Sequence, residues 1–460
     1  MKRTEIKKLN TEYEKFAGKQ IKVCGWARTV RDSKMIAFVE LNDGAFKGTQ
    51  IVLEKEKISN FDEVIKLTTG SSLEVIGEVV LTPEAKQPYE INASEVNILG
   101  KCDADYPLQK KGHSLEFLRE HHYLRPRTNT FNAVFRIRSV AAYAIHKFFQ
   151  ERDFVYCHTP IITASDCEGA GAMFQVTTLD LDRVASSGKV EYDKDFFGRK
   201  VFMTVSGQID EEPMTHAFGN TYTFGPTFRA ENSNTSRHAA EFWMMEPEMC
   251  FTDLAGLMEN EEEMIKFVIS YVMEHCKDEI EFLNKFVDKE LVSRLTNVVS
   301  NDFVKLSYTE AIDILTKVKD KFEYPVYWGV DLQSEHERYL TEVVYKKPVF
   351  LYNYPKDIKA FYMRLNEDGK TVAAVDLLVP GIGELIGGSQ REERYELLTA
   401  RMKELGLNLE DYENYINLRR YGTNVHSGYG LGFERLIMYL TGISNIRDVE
   451  YCPRTVGGIN

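Results

Sequence analysis

Apolar and polar positions alternate in short runs over the first hundred residues. Ile21 and Val23 lead one run. Residues 36–41 (Ile-Ala-Phe-Val-Glu-Leu) form a second, which enters the turn Asn42-Asp43-Gly44, and further runs cover 48–53, 72–81 and 89–99. A period of two broken by turn residues predicts half-buried strands. Five such strands, with a helix near 61–66, predict a small closed barrel of the OB type or another small β-barrel. Residues 102–127 are polar and carry Pro107 and Pro126, as a hinge would. Then Val134, Ile137, Val140, Ala144, Ile145 and Phe148 recur at helical spacing, which predicts an amphipathic helix followed by a strand over 154–162. Thr252 or Asp253 caps a further helix that runs past Val268, and 254–320 reads as largely helical. Residues 178–200 are charged and poor in apolar side chains, which predicts a surface insertion.

Composition changes this picture in three ways. With 460 residues and 43% hydrophobic content, the chain has enough apolar material for two to four domains. A net charge of −13 argues against nucleic-acid binding through overall charge. Local clusters stand against that total: Arg28 with Arg31, Lys110 with Lys111, and Arg119 to Arg127. Seven cysteines without a Cys-x-x-Cys pair read as free thiols in a reducing, cytoplasmic compartment and argue against a zinc site. The N-terminus lacks the apolar core of a signal peptide, and no apolar run is long enough to span a bilayer.

Candidate chemistry gathers in two stretches. Phe228-Arg229-Ala230-Glu231, a polar loop and Arg237 to Trp243 read as two strands around a charged loop, with Arg229 and Glu231 on one strand face. Downstream, Gly428, Gly430 and Gly432 alternate along a strand that enters a helix, with Arg435 near its start and Gly442 at its end. Taken singly, Arg229 is an ordinary surface ion pair and the glycines an ordinary turn. Taken together, two rigid cationic forks beside a closely approachable backbone suit an anionic ligand with a planar ring.

These stretches resemble motifs 2 and 3 of the class II aminoacyl-tRNA synthetases, and the long helix, the strand and Pro160 resemble motif 1, the dimer element. Residues 205–212 (Val-Ser-Gly-Gln-Ile-Asp-Glu-Glu), 327–338 and 352–356 narrow the resemblance to the asparaginyl-tRNA synthetases. It covers essentially the whole chain. The resemblance implies an α+β chain: an OB-fold anticodon-binding domain over 1–104, a hinge over 105–127, and a catalytic antiparallel sheet flanked by helices over 128–460, with insertions near 178–200 and 254–320. It implies a homodimer that uses ATP, L-asparagine, Mg2+ and tRNA(Asn). Arg229 and Arg435 become the catalytic arginines, and Glu231, His238, Phe242 and Glu384 complete the ATP site. Asp376 and Glu384 become the metal ligands, with Gly387 where relatives often carry a hydroxyl. Glu168, on a mobile loop over 165–174, would pair with the α-ammonium.

Gln208, Glu211, Glu212 and Arg391 would surround the substrate side chain. Aspartyl enzymes carry a lysine where this chain has Glu211, a carboxylate that repels aspartate and accepts from an amide. Arg28, Phe38 and Gln50 would contact the anticodon, although Phe38 is equally a barrel-core aromatic. Stretches 327–338 and 352–356 carry no chemical role legible in sequence. Three alternatives remain: an aspartate-charging relative, a non-catalytic tRNA-binding paralogue, and an ammonia-dependent asparagine synthetase on the same fold.

Overall fold

The computed structural model describes residues 1–85, 87–165, 172–233 and 235–459. They divide into two compact units, Met1–Ala133 and Val134–Asn460, so the segment read as a hinge groups with the barrel.

In the first unit, helix α1 (Ile6–Glu12) precedes strands β1 (Gln20–Asp32), β2 (Ile36–Asn42), β3 (Thr49–Glu54), β4 (Ser72–Leu81) and β5 (Tyr89–Gly100), with α2 (Phe61–Val64) between β3 and β4 and α3 (Leu115–Glu120) after them. The strands close into a barrel in the order β1-β2-β3-β5-β4. Alternation has the effect expected of it: Val23, Val39, Leu41, Ile51, Leu53, Val75 and Ile91 fill the interior. Phe38 is only half-buried and stands on the outer face, so it is not part of the barrel core. A bulge between Ala27 and Thr29 bends β1 at Arg28.

Helix α4 (Asn129–Gln150) leads into the second unit and buries Val134, Ile137, Ala141, Ala144, Ile145 and Phe148. Two-residue strand β6 (Val155–Tyr156) follows. A three-stranded sheet, β7 (Ile162–Thr163), β9 (Val201–Met203) and β8 (Gln175–Val176), frames the 178–200 insertion, which carries the exposed helix α5 (Leu181–Ser187). Helix α6 (Gln208–Phe218) precedes β10 (Asn220–Phe228) and β11 (Glu241–Cys250). Helices α7 (Leu254–His275), α8 (Lys277–Phe286), α9 (Leu291–Ser300) and α10 (Tyr308–Thr316) fill most of 254–320, broken by β12 (Val304–Ser307). Asp253, not Thr252, caps α7 by accepting from the Gly256 N–H.

The remaining elements are α11 (Ser334–Arg338), which continues as a π-helix over Tyr339–Val344, then β13 (Val349–Pro355), β14 (Thr371–Val379), β15 (Gly383–Gln390), α12 (Tyr395–Glu404), α13 (Glu413–Asn417), β16 (His426–Gly432) and α14 (Phe433–Thr441). Eight strands form one sheet in the order β12-β13-β14-β15-β16-β11-β10-β6. All pairs are antiparallel except the two at its edges. Every residue of β14 is buried, so the centre of the sheet is covered on both faces.

Candidate functional site

The charged loop departs from the sequence reading in one respect. Strand β10 ends at Phe228, so Arg229 and Glu231 lie in the loop rather than on a common strand face. Arg229 is still fixed by its backbone, whose N–H donates to the Ala240 carbonyl at 2.9 Å. Its guanidinium stands 5.4 Å from the Phe242 ring centre. Strand β11 pairs with β16, which sets Met244 opposite Gly432 and Glu248 opposite Gly428. The two recognised stretches are thus neighbouring strands of one sheet.

Two connected cavities open on that sheet and share Arg229, Met244, Glu384 and Gly430. One, of about 170 Å3, is lined by Arg237, His238, Phe242 and Arg435. Arg435 sits in the first turn of α14, 3.6 Å from the Glu384 carboxylate. His238 is bonded to the Thr235 hydroxyl, and burial lowers its pKa, so it is neutral near pH 7. Glu231 is exposed, and its charge reaches His238 from the loop rather than from the cavity wall.

The second cavity, of about 320 Å3, holds Gln208, Glu246, Lys359, Tyr362, Asp376 and Arg391. Asp376 accepts from Lys359 Nζ at 2.7 Å and from the Tyr354 hydroxyl, while Lys359 lies 3.9 Å over the Tyr354 ring. Stretch 352–356 thereby gains a role: Tyr354 seats this ion pair. A Cβ built on Gly387 would lie 3.2 Å from Glu384 Oε1 and 3.4 Å from Asp376 Oδ1, so the two carboxylates converge over that glycine. Their convergence suits one hard cation completed by phosphate oxygens and water. Among the described residues no cluster of three or more protein ligands exists, so Gly387 adds no donor.

The residues expected to surround the substrate side chain are placed differently from that expectation. Gln208 reaches the cavity and donates to Glu212 Oε1 at 3.1 Å. Glu211 and Glu212 do not line it. Both lie fully buried on the face of α6 that packs against β10 and β11. Glu212 is ionised between Arg419, at 2.8 Å, and His426, at 3.1 Å, and stays well below the usual carboxylate range. Glu211 accepts from the Thr221 hydroxyl at 2.8 Å, and burial drives its pKa well above the carboxylate range, so it is a neutral acid. Glu211 therefore repels nothing in the cavity.

Near Gln208 this cavity is lined by Arg391 and Glu246, and Glu248 is bonded to Arg391. Arg391 is gripped by Glu248 through Nε, at 3.1 and 3.2 Å, and through Nη2, with Nη1 on Ser389 at 2.8 Å. Both groups are buried; burial raises the Glu248 carboxyl against the opposing pull of Arg391, and the arginine stays protonated. Glu246 accepts from the Ser206 hydroxyl and from the Gly207 N–H at 2.9 Å. Neither glutamate was identified from sequence. The available signal was two carboxylates two residues apart inside the apolar run Met244 to Cys250. Glu168 lies outside the described residues.

On the barrel, Phe38 is opposite Arg31 in the β1–β2 register, with the guanidinium 5.7 Å from the ring centre. Gln50 accepts from Arg31 at 3.2 Å and donates to Glu90 at 3.2 Å. Arg31, not Arg28, therefore completes this exposed group. Arg28 is desolvated in a cleft beside Tyr106 and donates to Asn129 at 2.9 Å.

Comparison with known proteins agrees with this layout. Residues 114–456 match the family model described as tRNA synthetases class II (D, K and N), and 21–99 match the OB-fold nucleic acid binding domain. The chain is 62% identical to the asparagine--tRNA ligase of Acetivibrio thermocellus over 99% of both chains. It is 61% identical to that of Clostridium tetani over the same shares. Among solved structures, asparaginyl-tRNA synthetase from Pyrococcus horikoshii complexed with asparaginyl-adenylate superposes with a TM-score of 0.87 at 30% identity, covering 100% of this chain and 99% of that one. Sheet order, barrel and near-complete coverage at such identity leave one assignment: the chain belongs to the class II tRNA synthetases and, within them, to the asparagine--tRNA ligases.

Proposed function

We propose that this protein activates L-asparagine with ATP and transfers the asparaginyl group to tRNA(Asn). An asparagine carboxylate oxygen attacks the α-phosphorus, the bond to the β-phosphate oxygen breaks, and pyrophosphate leaves. The 3′-hydroxyl of the terminal adenosine then attacks the adenylate carbonyl, and AMP leaves. The observation that carries this reading is the pair of connected cavities meeting at Arg229. A cationic, aromatic chamber of nucleotide character joins a chamber with balanced charge suited to a neutral polar side chain.

Arg229 stands at the junction, where charge develops on phosphorus, and needs no reorganisation to meet it. Arg435 and Phe242 supply planar faces for the adenine, and His238 and Arg237 border the phosphate end. Asp376 and Glu384 would hold Mg2+, which supplies charge neutralisation on the triphosphate. Lys359 neutralises Asp376 through Oδ2, while Oδ1 is the oxygen beside Gly387. Glu246 accepts from the substrate amide N–H2, and Arg391 donates to the amide carbonyl; Glu248 cancels the arginine's charge, so the site favours asparagine over aspartate.

On the barrel, Phe38 stacks on an anticodon base while Gln50 and Arg31 read its edge and phosphate. Two copies would join through α4 and edge strand β6, where Tyr143 and Tyr156 are 58% and 47% exposed. No helix among the described residues is long and apolar enough to cross a membrane, and the free thiols fit a cytoplasmic protein.

The deciding experiment is ATP–pyrophosphate exchange with asparagine or aspartate, with Arg229→Ala as control. Exchange with asparagine alone, lost in the variant, is the expected result. Exchange driven by aspartate would refute the specificity, and no exchange with either would refute the activity.

A further inference from the structure

The stretch 327–338 has no part in the chemistry above, yet its last residues reach the nucleotide cavity from behind. Glu335 accepts from the backbone N–H groups of Glu323 and Tyr324, at 3.1 and 2.7 Å. His336 is fully buried; its Nδ1 accepts from the Gln333 N–H at 3.1 Å and its Nε2 donates to the Tyr324 carbonyl at 3.3 Å. These bonds anchor the start of α11. From that anchor three side chains extend toward the site.

Ser334 accepts from Arg237 Nη1 at 3.1 Å, which ties down the residue next to His238 in the charged loop. Glu337 accepts from the Glu384 N–H at 3.1 Å. Glu342 accepts from the Gly381 N–H at 2.9 Å and is itself held by Arg338 at 2.8 and 3.1 Å. Gly381 lies in the turn that joins β14, with Asp376, to β15, and Glu384 lies in β15 just after it. The turn of this carboxylate hairpin and the start of its second strand are thus held by one helical segment. In an α-helix, residues five apart point about 140° away from one another. The π-helical closure over Tyr339–Val344 bonds residue i to i+5 and turns Glu337 and Glu342 toward the same hairpin. Gly383 completes the fit: its φ is +87°, and a Cβ there would lie 2.3 Å from Glu337 Oε2.

We propose that Ser334–Val344 is a positioning brace for the nucleotide site, in which Glu337 sets the Glu384 carboxylate and Glu342 holds the turn. Glu337 is a positioning residue and acts through Glu384. The inference rests on the ATP-dependent reading given above. It predicts that loss of Glu337 weakens the triphosphate end of the site and leaves the asparagine end intact.

The test uses the full-length protein with Glu337→Ala, Glu337→Gln and Glu342→Ala. In pyrophosphate exchange, Glu337→Ala should raise KM for ATP and the Mg2+ half-saturation by up to about tenfold, the size of one lost hydrogen bond, with KM for asparagine unchanged. Glu337→Gln keeps an acceptor for the Glu384 N–H and should restore most of the loss. Hydrogen exchange over 379–386 should quicken in both alanine variants. The brace is overturned if Glu337→Ala matches wild type, if both KM values rise together, if glutamine is as damaging as alanine, or if exchange over 379–386 is unaltered. A wild-type protein that activates no amino acid would refute the function alone, and the hydrogen-exchange comparison would still decide the brace.

Discussion

Replacing Glu248 by glutamine should admit aspartate. The substitution keeps volume and an acceptor for Arg391 but removes the carboxylate that Arg391 grips, in a position with no solvent exposure. Arg391 then carries an uncompensated charge into the amino-acid cavity. A substrate carboxylate brought to ~4 Å of it gains about 1 kcal/mol if the cavity is water-like and about 4 kcal/mol at an effective dielectric of ~20. A filled, partly buried site lies nearer the second value, and each ~1.4 kcal/mol is a factor of ten, so the aspartate-to-asparagine ratio of kcat/KM should rise at least ~10-fold. The variant also leaves a buried arginine unpaired, which costs roughly 3–5 kcal/mol of stability without ligand. Aspartate should therefore raise its melting temperature more than asparagine does. Pyrophosphate exchange and thermal unfolding with each amino acid measure both effects. An unchanged ratio, with the variant folded, would show that Glu248 does not neutralise the side-chain site and would return the selection to Glu246 alone.

Other consequences are as direct. Phe38→Ala should lower kcat/KM for tRNA by the ~1–3 kcal/mol of one lost stacking contact while leaving pyrophosphate exchange unchanged; an effect on exchange would refute the anticodon role. Glu261 is fully buried on α7, and burial holds its pKa well above the carboxylate range. Its unfolded form loses the proton first, so folding stability falls as pH rises above ~4.3, by up to ~1.4 kcal/mol per pH unit. Glu261→Gln should flatten that slope in thermal melts recorded across pH, and an unaltered slope would refute the assignment. Burial pushes the Cys157 thiol up to about 11. Brief alkylation at neutral pH, read by peptide mass mapping, should therefore mark the partly exposed Cys102 and Cys452 and spare Cys157.

What was legible in the sequence was local. The barrel strands, the α7 start and the Gly442 stop of α14 follow from period, cap and turn residues that act over a few positions. Arg229 and Arg435 were legible because flanking residues repeat a recognisable strand–loop–strand and strand–helix pattern. The charges of the amino-acid cavity were not. Glu211 and Glu248 are both fully buried acids near one arginine, and only the third dimension tells which pairs with it. The resemblance put Glu211 forward because it stands where aspartyl enzymes carry a lysine. Burial against the sheet, where it accepts from Thr221, makes it neutral instead. Lys359 and Glu337 were missed for a related reason: each acts on a strand residue, Asp376 or Glu384, that is distant in the chain.

The order of the large sheet governs when this site can exist at all. Its centre joins β11, which ends at Cys250, to β16, which begins at His426, and the cavities lie across that seam. Every barrel strand, by contrast, lies before residue 101. During synthesis, at roughly 5–20 residues per second, the barrel's strands are complete long before β16 is made. The two connected cavities close only once β16 has been made. A nascent or C-terminally truncated chain thus keeps its RNA-facing barrel but lacks the seam that would activate an amino acid.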